Sequence, residues 1–140
     1  MNPEQVALVQ SSFSKVAPIA RDAASLFYGR LFEIAPEVRP MFKGDMEEQG
    51  RKLISTLALV VAGLDRLETV LPAARALAIK HVGYGVKAEQ YPLVGAALLW
   101  TLEKGLGAEF TAETKEAWAE AYGALSGEMI KAAYPSPAQG

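Results

Sequence analysis

Apolar residues recur at intervals of three and four along nearly the whole chain, and no stretch alternates apolar with polar residues between hairpin turns. That periodicity predicts an all-α domain of roughly six to eight helices. The chain opens on Asn2-Pro3-Glu4-Gln5, where Asn can cap, Pro suits the first helical position and Gln sits at the capping-box place; Val6, Val9, Phe13 and Val16 then trace one face. A second helix includes Ser25 to Ile34, with Phe27, Leu31 and Ile34 on one side and Tyr28 and Phe32 beside them, and ends before Pro36. "APEVRPMFKGD" sets two prolines and a glycine around Met41 and Phe42 and reads as a short helical turn and a corner.

From about Met46 to Leu64 a long amphipathic pattern carries Gln49, Leu53, Thr56/Leu57 and Val60 along one stripe. Another helix holds Pro72 in its first turns and runs to His81, with Leu77 one turn earlier on the same face and Gly83 and Gly85 as stops. A strongly apolar helix starts at about Tyr91 and meets Gly105 and Gly107 as breakers. Thr111 is a good N-cap for a last helix bearing Trp118, Tyr122, Leu125 and Met129. A single domain over 1–140 is expected, with a frayed tail at 135–140.

Composition removes most chemistries. The chain is 51% hydrophobic, enough for a sizeable core, and its net charge of −2 with scattered Lys and Arg leaves no electrostatic footprint for nucleic acid. No basic-then-apolar opening and no membrane-length apolar run are present, so a cytoplasmic protein without membrane association is expected. Phosphate-cradling glycine loops are absent, which argues against nucleotide enzymes. Without cysteine there can be no disulfide, zinc knuckle, iron–sulfur cluster or thiol nucleophile.

One histidine remains, in "AIKHVGYGV". A zinc hydrolase would need two or three such ligands, and Ala78 stands where a Glu-x-x-His motif would place a carboxylate. A lone helical histidine is compatible with a structural or exposed position as well as with a ligand. Leu77 one turn before it, the glycine break after it, and the Gln49–Leu53 stripe on another helix together describe an apolar slot with few polar groups. A flat apolar cofactor would fit between two such faces.

"FYGRLFEIAPEVRPMF", "RKLISTL", "KHVGYGV", "YPLVGAALL" and "AWAEAYG" follow one another in an order and spacing that resembles a single-domain bacterial haemoglobin, related to the globin module of flavohaemoglobins. The resemblance covers nearly the whole length. It implies the three-over-three globin sandwich around one haem b, with His81 as the proximal ligand to iron. By the same resemblance Pro36 starts the corner helix and Phe42 packs on the haem face. Tyr28 and Gln49 match the distal tyrosine and glutamine facing bound oxygen, each able to donate a hydrogen bond. Leu53 matches the apolar residue over the iron, and Gly50 and Ala24 are small enough to let their helices cross closely. Leu77 and Val86 belong to the cofactor's surroundings, and Lys80, with Lys52 or Arg51, can pair with its propionates. Tyr91 resembles a proximal tyrosine that joins a glutamate in hydrogen-bonding the ligand histidine. The position expected for that glutamate holds Ala133, and Glu128 lies five residues earlier, about 140° around the helix.

The implied function is haem-based binding of O2, NO and CO, including oxygen transport, with conversion of NO to nitrate if a separate flavin reductase supplies electrons. The flavin and nicotinamide domains of flavohaemoglobins are not expected within this length. A haem-based gas sensor or interaction module, and a cofactor-free helical bundle, are the alternatives.

Overall fold

The first helix, α1 (Pro3–Val16), begins as its sequence dictates. Asn2 Oδ1 accepts from the Gln5 amide at 2.8 Å, and Gln5 Oε1 accepts from the Asn2 amide at 3.1 Å, which satisfies two donors that the first turn leaves without carbonyls. In the computed structural model, which describes residues 2–83 and 86–133, five more helices follow. A 3-10 turn over Ala17–Ile19, opened by Pro18, redirects the chain into α2 (Ala20–Ile34). This helix includes the predicted Ser25–Ile34 and extends back to Ala20. Its first turns contain few large apolar residues to reveal a period, yet alanine is the strongest helix former, and Ala23 and Ala24 are buried.

Pro36 opens a 3-10 run to Met41 at the predicted corner. Asp45 caps α3 (Met46–Ala62), its carboxylate accepting from the Glu47 amide at 2.9 Å. Gly63 and a turn over Leu64–Arg66 end that helix slightly before the predicted limit. Helix α4 (Leu67–Gly83) carries Pro72 inside and ends on the first of its two predicted stops. In α5 (Tyr91–Leu106) the terminator is Gly107 at φ +57°, a left-handed geometry that suits glycine, whereas Gly105 stays within the helix. Thr111 caps α6 (Ala112–Ala133), its hydroxyl accepting from the Thr114 amide at 3.2 Å. No strand occurs among the described residues. Tyr84, Gly85 and the predicted frayed tail lie outside them.

Helix α2 packs on α5 and α3, and α1 and α4 each pack on α6. At the centre of this arrangement Trp118 Nε1 of α6 donates to Ser12 Oγ of α1 at 2.8 Å, so the one polar atom of a buried indole is satisfied. Two glycines set helix distances. A Cβ on Gly50 would stand 2.9 Å from the Ala24 Cβ, which fixes α2 and α3 in close crossing, and a Cβ on Gly95 would stand 2.7 Å from the Tyr122 ring. Small residues at both crossings replace side-chain spacers.

The apolar core divides in two. The larger cluster gathers α1, α2, α5 and the first half of α6, and the lower part of α3 leans on it through Leu53, Ile54 and Leu57. A smaller cluster joins Ala74 and Ala78 of α4 to Tyr91 and Met129, with Leu77, Val86, Leu125, Ile130 and Ala133 packed on it. No packing comparable to that of α3 on α2, or of α4 on α6, joins α3 to α4.

Candidate functional site

The division between the two clusters places the sequence-predicted residues in two groups that belong to different helices. On one side stands an aromatic group. Tyr28 lies buried on α2 and meets Phe42 edge-on at 5.2 Å, Phe27 edge-on at 5.0 Å and Phe32 in a stack at 5.9 Å. Phe32 and Phe42 also meet edge to face at 5.4 Å. Such tilted pairs align ring edges with ring faces, which holds the Tyr28 ring in one orientation. The Arg39 guanidinium lies 5.1 Å over Phe32 and donates to the Phe42 carbonyl at 3.1 Å, tying the corner to α2.

Gln49 reaches the same phenol from α3. Burial pushes the Tyr28 phenol above its ordinary pKa, and a hydrogen bond with the Gln49 side chain offsets part of that rise. Tyr28 therefore keeps its proton at neutral pH as a donor. Gln49 contributes a second amide donor from a half-buried position. The close Gly50–Ala24 crossing brings these two side chains together.

On the other side, His81 is half-buried on α4, and its Nδ1 lies 2.7 Å from the Leu77 carbonyl. A carbonyl can only accept, so Nδ1 carries the proton and the lone pair of the neutral ring sits on Nε2, the nitrogen suited to binding a metal. The predicted contact of Leu77 with His81 thus includes a backbone hydrogen bond that side-chain spacing alone does not announce. The Val86 amide donates to the His81 carbonyl at 3.0 Å, closing the chain back over the end of α4. Leu77, Val86 and Tyr91 pack together in the smaller cluster.

Tyr91 is fixed by a residue the sequence reading placed only on a helical face. The Tyr122 hydroxyl donates to the Tyr91 carbonyl at 2.5 Å, and the space for its ring exists because residue 95 is glycine. Burial, and then proximity to Tyr91, push the Tyr122 phenol well above the ordinary tyrosine range. Ala133 packs on the cluster that contains Tyr91, whereas Glu128 turns away and pairs with Arg75 at 3.3 Å. Lys80, Lys52 and Arg51 are exposed.

The sequence model of the globin family matches residues 25–129, a span that includes both groups. The chain belongs to the globin family. The structure of a bacterial globin from Campylobacter jejuni superposes with a TM-score of 0.82 at 30% identity, covering 94% of this chain and 96% of that one. Flavohemoproteins are similar in sequence: that of Bordetella parapertussis is 33% identical over 137 residues, and that of Oceanobacillus iheyensis 37% over 99 residues. The alignments cover 93% and 69% of this globin, and 33% and 24% of those proteins. The globin thus spans about one third of the length of the Bordetella relative. Membership implies haem-based binding of gas molecules, and the residues present fit that cofactor. Leu53, Ile54 and Leu57 of α3, Leu77 and His81 of α4 and Val86 just after it are all only half-buried, and α3 and α4 share little packing, so apolar side chains and one imidazole remain for a flat apolar group to cover.

Proposed function

We propose that this globin would hold haem b between α3 and α4, with His81 Nε2 as the group that would bind its iron and with Tyr28 and Gln49 as the polar side chains that would meet a gas ligand. The observation that supports it most is the divided core, because half-buried apolar residues and an imidazole whose Nδ1 is held by the Leu77 carbonyl stand on two helices that share little packing. Bound haem iron supplies reversible coordination of O2, NO and CO. Phe42 and Leu53 bound the cofactor on the tyrosine side, and Leu77 and Val86 on the histidine side. Lys80, with Arg51 or Lys52, offers cations to its propionates from exposed positions. Tyr28 and Gln49 would offer hydrogen-bond donors to a gas ligand, and Tyr91 would help hold the surroundings of His81.

The similarity to flavohemoproteins supports conversion of NO to nitrate as the chemistry built on this binding. Joining NO to O2 as nitrate consumes one electron, which a flavin reductase would supply. Ala133 in place of a carboxylate beside Tyr91 favours storage and binding of O2 over strong activation of it.

An absorbance spectrum tests the cofactor directly. The purified protein should show an intense Soret band, and His81→Ala should abolish stable haem incorporation. Full haem retention by that variant without added imidazole overturns the assignment.

A further inference from the structure

Phe27 and Phe32, two of the rings that pack on Tyr28, share its helix, so the backbone of α2 fixes where they stand. Phe42 has no such scaffold. It lies just past the 3-10 run at the corner, half-buried and followed by the exposed Lys43, Gly44 and Asp45, and no helix carries it. Arg39 fastens it. The Phe42 amide donates to the Arg39 carbonyl at 3.1 Å, and the Arg39 guanidinium donates back to the Phe42 carbonyl at 3.1 Å. The same guanidinium lies 5.1 Å over Phe32, so one planar cation joins the corner to a ring that stacks on Tyr28.

We propose that Arg39 is a positioning residue: by fastening Phe42 to Phe32 it fixes the aim of the Tyr28 phenol, and so sets how strongly the site favours O2 over CO. The inference rests on the gas-binding reading above. Its own support is a closed circuit of contacts, in which Arg39 meets the Phe32 ring and the Phe42 backbone, and the rings of both residues meet Tyr28. The guanidinium is rigid and planar, so ordering one side chain holds both ends. Hydrogen bonds weaken steeply as the donor turns off line, so a phenol that can swing loses effect without losing its proton. The gain from a donor is also larger for the ligand with more negative charge on its outer atom, and O2 on ferrous haem carries more than CO. A loosened Tyr28 therefore weakens O2 binding and leaves CO binding nearly unchanged.

The clamp has a signature that needs no haem. Arg39→Ala keeps the backbone carbonyl that accepts from the Phe42 amide, so that hydrogen bond can still form and only the side-chain tie is lost. Native-state hydrogen exchange of the apoprotein should then find the Phe42 amide roughly tenfold less protected than in the wild type. The α1 amides should be unchanged, because Arg39 is exposed and takes no part in the core around that helix.

In the haem-loaded protein Arg39→Ala should lower O2 affinity roughly fivefold and move CO affinity by less than about twofold. On a Tyr28→Phe background the same substitution should change neither any further, since the donor it aims is gone. Unchanged protection of the Phe42 amide would overturn the clamp. Equal losses for the two gases, or the full loss for O2 persisting on the Tyr28→Phe background, would overturn the link to Tyr28 while leaving haem binding through His81 intact. A wild-type protein that takes up no haem would remove the gas-binding reading, and the selectivity with it; hydrogen exchange would still decide the clamp.

Discussion

His81 illustrates how a backbone carbonyl can decide the chemistry of a side chain. Because Leu77 accepts from Nδ1 at 2.7 Å, the imidazole is presented in one tautomer before any metal arrives. Tyr28 and Gln49 are prepared in the same way, by aromatic packing on one and a shared hydrogen bond with the other. Losing either donor should cost a bound O2 molecule about 1 to 3 kcal/mol, seen as faster release. Stopped-flow measurements on Tyr28→Phe and Gln49→Leu check this, and unchanged rates in both single variants and the double variant would deny the pair its role. Ala133→Glu is the complementary gain. A carboxylate added to the cluster holding Tyr91 should strengthen donation through His81 and lower the iron–histidine potential, which redox titration would read. The phenols also set a pH response. Tyr28 and Tyr122 hold their protons more tightly folded than unfolded, relative to an ordinary pKa of 10.0. Their contribution to stability is therefore fully present below that pH and falls as pH rises above it, because the unfolded chain loses its protons first. Denaturant midpoints at about pH 9 and about pH 11 should show the loss, and Tyr122→Phe should lessen it.

At the scale of elements, the crossing of α2 and α3 depends on the absence of one carbon atom. Gly50→Ala would force its Cβ to within 2.9 Å of Ala24, so it should destabilise the protein by about 1 to 3 kcal/mol, and Ala24→Gly in the same chain should restore part of that. Thermal unfolding of the two variants measures the coupling. This crossing was legible in the sequence once Gly50 and Ala24 were matched to the helices bearing Gln49 and Tyr28. The helices at the caps were legible too, since Asn2 and Thr111 use side-chain chemistry that short motifs record. The start of α2 was not, because alanine-rich turns have propensity without apolar contrast. Gly105 and Gly107 look alike as residues, and only a positive φ distinguishes the true terminator. The Tyr122–Tyr91 bond joins positions far apart in sequence, through a gap left by Gly95 that no local pattern reveals.

For the whole molecule, the absence of cysteine and of any nucleotide-binding fingerprint bears on electron supply. The purified, reduced and haem-loaded chain mixed with O2 and excess NO should form about one nitrate per haem and then stall, and adding a flavin reductase with NADH should restore cycling. Sustained turnover without any reductant would contradict this. The divided core has a different consequence, for cooperativity. In the apoprotein α4 is held mainly through the far half of α6, so it forms a unit that can open without disturbing Trp118 and Ser12 at the other end. Haem seated between α3 and α4 would bridge the two units and make them melt together. Native-state hydrogen exchange should find the α4 amides opening at lower free energy than those of α1 and α5 in the apoprotein, and converging with them once the cofactor is bound; the prosthetic group would then act as the keystone that turns two folding units into one.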